Sequence, residues 1–133
     1  MSAQTITKKI SALALASVTA SLMLVGCGEK QTKPLTYMAD IKPILDQHCV
    51  ECHQAGGKGT EKSGLLLDSY ANTMRGTKFG PVVIPGQAIN STLYRLTTGK
   101  ADPSLRMPHN AEALPEEVTN KLRDWIDQGA KEQ

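Results

Sequence analysis

The sequence has few aromatic residues, little excess of charge of either sign and few cysteines. One Phe, one Trp and three Tyr make up 4% of its 133 residues, so few large rings are available to fill a core. The formal net charge is +2, without the clustered basic face that binds nucleic acid. The length allows one domain. These features argue against a multidomain enzyme, a repeat array and a nucleic-acid-binding protein.

Acidic residues are missing altogether from the first 26 residues, where two lysines precede an apolar run that ends at Gly26. A basic start followed by apolar and then small residues is typical of a secretory signal peptide. Serine and threonine dilute the run, which is barely long enough to span a bilayer, and this disfavours an uncleaved anchor. The end of the run, Leu24-Val25-Gly26-Cys27, resembles the lipobox of bacterial lipoproteins. We therefore predict a lipoprotein signal peptide at 1–26 and a lipid on Cys27, with simple secretion and an uncleaved anchor as alternatives.

The mature chain would carry balanced charge. Without the two leader lysines, 13 basic residues face 13 acidic residues. Residues 27–36 are polar and lack helical periodicity, so we predict a lipidated tether with a reach of roughly 15–18 Å. Residues 37–133 then form the folded domain. The expected localisation is periplasmic, with the exported protein attached to a membrane by its lipid.

Only two cysteines remain after Cys27, and they lie in Cys49-Val50-Glu51-Cys52-His53, a C-x-x-C-H motif. Two thiols at this spacing can bridge the two vinyl groups of one haem, while the adjacent histidine binds the iron. A redox disulfide needs a βαβ context, whereas the segment before the motif is helical in pattern and the one after it is glycine-rich. A structural zinc site needs four ligands. We therefore predict one covalently bound haem c, with thioethers at Cys49 and Cys52 and with His53 as the proximal iron ligand.

Met107 is the predicted distal iron ligand. It lies in a loop-like stretch between Pro103 and Pro108, which stiffen the backbone, and no helical apolar stripe surrounds it. His109 is the competing ligand, and a His/His pair would lower the reduction potential relative to a Met/His pair. Met74 is expected to pack against the haem or the core instead.

Hydrophobic periodicity predicts short helices around this site. The last is the clearest, because Val118, Leu122, Trp125 and Ile126 share one face that should pack on the first helix. A carbonyl near Pro81 is expected to accept a hydrogen bond from Nδ1 of the proximal histidine. The predicted elements are a helical segment from Thr36 to Cys52, a glycine-rich loop over 54–64, helices over Asp68–Arg75 and Asn90–Thr97, and a helix opened by Pro115 and stopped by Gly129.

The chain resembles class I c-type cytochromes, and in particular the small cytochrome c domains of planctomycete type. The resemblance covers about residues 37–130. It implies an all-α class I cytochrome c-like fold, with about three to five short helices wrapped around one haem and with Met107 as the distal ligand. The family often shows Met-Pro-Pro, where this chain has His109 at the third place. The matching pieces are Ile41–Leu45, Cys49–His53, Gly64–Asp68, Ile84–Gly86, Ser91–Leu93, Met107-Pro108 and Trp125–Ala130.

The expected function is electron transfer through an exposed haem edge, without a catalytic acid or base. Other redox proteins are the expected partners, through small and transient interfaces, and no small-molecule substrate is predicted. One alternative is a haem-based peroxidase or a gas or redox sensor with a displaceable sixth ligand, in which Arg106 and His109 would form the distal pair. Another is a haem subunit of a larger membrane oxidoreductase.

Overall fold

A computed structural model describes residues 33–133, so the predicted signal peptide, Cys27 and most of the predicted tether lie outside the described residues. Within that range no β-strand occurs, and the one β-bridge joins Thr77 to Gly80, which confirms the all-α prediction. No helix in this part of the chain has the length and apolar character needed to cross a membrane. The helices are α1 (Lys42–His48), α2 (Lys58–Ser63), α3 (Tyr70–Arg75), α4 (Thr92–Thr97) and α5 (Glu116–Asp127), with a π-helical turn at Tyr37–Ile41 and 3-10 turns at Ala88–Asn90 and Pro103–Leu105.

A reciprocal cap fixes the π-helical turn that leads into α1. Thr36 Oγ1 accepts a hydrogen bond from the Ala39 N–H (3.3 Å), and Asp40 Oδ2 accepts one from the Thr36 N–H (2.9 Å). Pro43 is the second residue of α1 and has no N–H to donate, so it is tolerated in this first turn. The Lys42 N–H reaches back five residues for its acceptor, which gives the turn its π-helical width.

The α5 helix supplies the centre of the hydrophobic core. Leu122, Trp125 and Ile126 are buried on one face of α5, as their spacing predicts. The Trp125 ring lies 5.9 Å from the ring of Tyr37, so α5 packs on the π-helical turn at the start of the first helical segment. This confirms that the last helix packs on the first helical segment, at the N-terminal end of that segment.

The chain joins the folded domain at Leu35. Its N–H donates to Gln128 Oε1 (2.7 Å), and its side chain packs against the core. Two residues further on, the Tyr37 N–H donates to the Lys131 carbonyl (3.0 Å). Leu35 and Thr36 are thus held by the domain, although the sequence predicts a tether through residue 36.

The glycine-rich stretch after the C-x-x-C-H motif is helical in part, so the predicted loop over 54–64 is wrong. Gly57 is the N-cap residue of α2, and Gly64 ends the helix with φ +75°. A Cβ on Gly57 would lie 2.4 Å from the Cys52 carbonyl oxygen, so this glycine allows a close approach of two backbones. By contrast, α3 and α4 end at the predicted residues and begin only two residues late.

Candidate haem site

The C-x-x-C-H motif follows directly on α1, with Cys49 as the C-cap residue. The N–H groups of Cys52 (3.2 Å) and His53 (3.0 Å) both donate to the Cys49 carbonyl, so the motif winds through one turn. Both thiols are free, with Cys49 partly buried and Cys52 exposed. The structure thus brings the two predicted attachment thiols and the predicted proximal ligand together.

A backbone carbonyl orients the His53 imidazole. Nδ1 lies 3.3 Å from the carbonyl oxygen of Leu65. Because a carbonyl only accepts, Nδ1 carries the proton and donates it, which leaves the lone pair of Nε2 as the ring's metal-binding atom. The expectation that a carbonyl near Pro81 holds this ring is wrong. The segment that contacts His53 lies well before Pro81 in the sequence, and in it the Leu67 N–H also donates to the His53 carbonyl (2.8 Å).

Two residues of α2 that sequence reasoning did not single out pack around the same imidazole. Thr60 Oγ1 donates a hydrogen bond to the Leu65 carbonyl (2.8 Å). A Cβ on Gly59 would lie 2.7 Å from Cε1 and 2.8 Å from Nε2 of His53, so the ring occupies the space that a side chain at this position would need. No periodic pattern marks either residue, because both lie in the stretch whose glycines indicate a loop.

The raised pKa of the Cys49 thiol argues against a redox disulfide. Burial raises its pKa to about 11, and the neighbouring Cys52 adds to the rise. Nucleophilic thiols of redox C-x-x-C motifs have lowered pKa values instead. Residues 33–133 also lack the β-strand that such a motif follows, and they contain no group of three or more His, Cys, Asp or Glu side chains placed to hold a metal ion. Both the disulfide and the zinc alternatives are disfavoured.

The predicted distal ligand lies on the loop between α4 and α5. The Met107 N–H donates to the Leu96 carbonyl (3.0 Å), which ties the loop to the end of α4. The neighbouring Arg106 donates from Nη2 to the Ala111 carbonyl (2.9 Å), so its guanidinium serves to hold the loop. One contact thus holds the Met107 backbone through its N–H, and the other joins two parts of the loop that contains it.

The side chains of the three candidate distal ligands lie in different surroundings. Met74 packs against the hydrophobic core, as predicted. Met107 is half-buried and, within residues 33–133, is not among the side chains that form that core or pack against it. His109 is exposed. The Met107 thioether is therefore not committed to core packing.

The residues present fit a covalently bound haem. Two thiols on one turn suit the two vinyl groups, and the tautomer of His53 leaves Nε2 for iron. Leu66 and Leu96 remain only half-buried, which suits contact with a large apolar ring. When bound, the haem supplies the redox-active iron, while the polypeptide holds and orients it.

Comparison with protein families agrees with this geometry. Residues 49–110 match the family model described as Planctomycete cytochrome C, a range that includes both the C-x-x-C-H motif and Met107-Pro108. No match was found among curated proteins or among solved structures. The helical fold of residues 33–133 is consistent with a cytochrome c-like fold. Residues 49–110 are therefore similar to the cytochrome c domains of planctomycete type that the sequence predicts.

Proposed function

We propose that this protein is an exported, lipid-anchored monohaem cytochrome c that passes electrons between redox proteins on the outer side of the cytoplasmic membrane. The family match supports a haem c-type electron-transfer protein. The observation that carries the proposal is the turn that holds two free thiols beside an imidazole oriented through Nδ1. In this proposal Cys49 and Cys52 form the thioethers, and His53 and Met107 bind the iron.

The proposed function requires the polypeptide to keep both of the side chains that would bind the iron in fixed positions. The His53 ring is held at Nδ1, and its backbone is bonded on both sides, through the N–H to Cys49 and through the carbonyl to Leu67. A ligand set that moves little keeps the reorganisation small when an electron arrives or leaves. A thioether as the second ligand raises the reduction potential relative to a second imidazole.

Optical spectra of the full chain, produced in a bacterium with haem-maturation machinery and extracted with detergent, test the ligands. We expect one haem per chain, a methionine–iron charge-transfer band in the oxidised protein, and no change when carbon monoxide is added to the reduced protein. Prompt binding of carbon monoxide, without that band, would contradict ligation by Met107. It would favour a haem sensor or a peroxidase instead.

The lipid anchor rests on the lipobox-like tetrapeptide that ends at Cys27. Leu35 is held by the folded domain, so only residues 28–34 separate the proposed lipid from the first residue so held. We expect a Cys27→Ser variant to lose the lipid and to leave the membrane fraction, as measured by detergent partition and by the mass of the N-terminal peptide. An unchanged distribution would indicate another mode of attachment.

The proposed partners are redox proteins that dock without strong electrostatic steering. The mature chain carries 13 basic and 13 acidic residues, so long-range attraction to a charged partner is weak. We expect the rate of electron exchange with a physiological donor to change little with ionic strength. A steep loss of rate with added salt would contradict this.

A further inference from the structure

Two donors share one acceptor behind the proximal histidine. The Leu65 carbonyl accepts a hydrogen bond from Thr60 Oγ1 at 2.8 Å and one from His53 Nδ1 at 3.3 Å. A carbonyl oxygen has two lone pairs and can serve both donors. The hydroxyl bond is the shorter, and the imidazole bond lies beyond the usual length for an N–H···O hydrogen bond. Thr60 therefore makes the stronger of the two hydrogen bonds to the Leu65 carbonyl oxygen.

We infer that Thr60 raises the reduction potential of the haem by competing with His53 for the Leu65 carbonyl. The inference rests on the proposed function, because it requires Nε2 of His53 to bind the iron. A strong hydrogen bond from Nδ1 makes an imidazole more electron-rich, and an electron-rich ligand stabilises ferric over ferrous iron. A hydroxyl that draws on the same oxygen weakens that bond and shifts the balance towards the ferrous form.

Contacts on both sides of Leu65 keep its carbonyl in place when the hydroxyl is removed. The Leu65 N–H donates to Ser63 Oγ (3.1 Å), and Ser63 Oγ in turn donates to the Gly59 carbonyl (2.7 Å). On the other side, the Leu67 N–H donates to the His53 carbonyl (2.8 Å). Without the Thr60 hydroxyl, the oxygen would remain beside Nδ1 and accept from it alone.

The test compares the midpoint reduction potentials of full-length holoprotein variants by spectroelectrochemical titration. We expect Thr60→Val, which keeps the shape but removes the hydroxyl, to have a lower potential than the wild type. Thr60→Ser keeps the hydroxyl and should restore the wild-type potential. The matched control is Thr119→Val, which removes a hydroxyl that donates to the Glu116 carbonyl in α5 (3.0 Å), and it should leave the potential unchanged.

A second readout reports on the hydrogen bond itself. In the reduced protein, the Nδ1 proton resonance of His53 should move downfield in Thr60→Val, because its hydrogen bond becomes stronger. Thr60→Ala also lacks the hydroxyl and should show the same two shifts if the valine variant does not fold. Neither a structural loosening of α2 nor a change in yield would move both readouts in these directions.

The outcomes separate this inference from the proposed function. An unchanged potential in Thr60→Val, in a protein whose spectrum shows histidine-ligated haem, overturns the inference alone. An equal shift in Thr119→Val also overturns it, because the effect would not depend on the shared carbonyl. A wild-type protein without histidine-ligated haem overturns the proposed function, and the inference with it.

Discussion

The two sides of the candidate haem site differ in how the polypeptide holds the residue that is proposed to bind the iron. We name residues 49–67 the attachment segment and residues 98–115 the distal loop. In the attachment segment, the backbone N–H, the carbonyl and the Nδ1 of His53 each have a hydrogen-bond partner in the same segment. On the distal loop, Met107 is tied through its backbone N–H to Leu96, and its side chain lies outside the core of residues 33–133.

This difference separates two roles. The hydrogen bonds that orient His53, the proposed proximal ligand, all lie within the attachment segment. The thioether of Met107 is oriented by a loop whose contacts reach α4, so its position depends on that loop. We therefore expect the attachment segment to decide whether haem is bound and the distal loop to decide what the bound haem reacts with.

The largest expected effect is the loss of haem after His53→Ala. The change removes the proposed proximal ligand, which is also the histidine of the C-x-x-C-H motif, so covalent haem should be almost absent. Haem staining of denatured protein on gels, normalised to protein amount, measures this directly. The matched control is His48→Ala, at the end of α1, which should keep a normal haem content.

Full haem content in His53→Ala would contradict the role that we assign to the attachment segment. It would mean that the attachment segment does not need its histidine to capture haem. Equal losses in both histidine variants would instead show that the end of α1, and not the motif, governs attachment.

A change in the distal loop should open the iron without releasing the haem. We expect Met107→Ala to keep its covalent haem, to lose the methionine–iron charge-transfer band, and to bind carbon monoxide when reduced. Optical spectra of the purified variant, together with haem staining, separate these effects. Met74→Leu, a conservative change at a methionine in contact with the core, should retain the band.

His109→Ala decides between the two candidate ligands of the distal loop. If Met107 is the ligand, this variant should keep the methionine–iron charge-transfer band and should not bind carbon monoxide when reduced, because His109 is an exposed side chain. Prompt carbon monoxide binding by His109→Ala, with an unaffected Met107→Ala, would make His109 the distal ligand.

A smaller effect is expected from Gly59→Ala, which probes the packing of α2 on the proximal imidazole. In an unobstructed helix this change stabilises by about 0.5–1 kcal/mol. Here the new Cβ would lie 2.7 Å from His53 Cε1 and 2.9 Å from the Cys52 carbonyl oxygen, so the sign reverses. We expect destabilisation by about 1–3 kcal/mol in denaturant unfolding of the holoprotein.

Lys58→Ala is the control in the same helix, because this side chain is exposed. It should change the free energy of unfolding by no more than about 0.5 kcal/mol. A stabilised Gly59→Ala would show that the imidazole does not lie against α2 in the holoprotein.

The features that could be predicted from the sequence are those whose signal is local. The apolar face of α5 follows from spacing within one helix, and burial of Leu122 and Trp125 confirms it. The C-x-x-C-H motif predicts a close group of donors because its residues share one turn. Neither prediction depends on which distant segment of the chain packs against these residues.

The features that could not be predicted depend on which segments, apart in the sequence, lie close together in the fold. The acceptor of the His53 Nδ1 proton is a backbone carbonyl, which any residue can supply, so the sequence does not mark Leu65 and the prediction of a carbonyl near Pro81 is wrong. The α2 helix was missed because Gly57 and Gly59 indicate a loop. Their lack of a side chain instead allows close contact with Cys52 and His53.

The smallest effect concerns Tyr37, which lies outside both segments and tests whether the supporting core can be altered separately from the site. The Thr73 hydroxyl donates to the Ser69 carbonyl (2.8 Å), so in the contact between Tyr37 and Thr73 (3.2 Å) the phenol is the donor. Burial raises the pKa of Tyr37 above its ordinary value of 10.0. The unfolded chain therefore releases this proton at a lower pH than the folded protein does. Its contribution to stability is complete below pH 10.0 and is lost as the pH rises through the folded-state pKa.

We expect Tyr37→Phe to lose about 1 kcal/mol at neutral pH, from the missing hydrogen bond, and to show a weaker decline in stability above the ordinary tyrosine pKa than the wild type. Denaturant unfolding of both proteins across this pH range measures the difference, and the haem spectrum at neutral pH should be the same in both. Parallel pH profiles would show that the phenol ionises equally in both states. A changed spectrum would show that the core supporting α3 and α5 also positions the iron ligands, and the division between the attachment segment and the distal loop would then be incomplete.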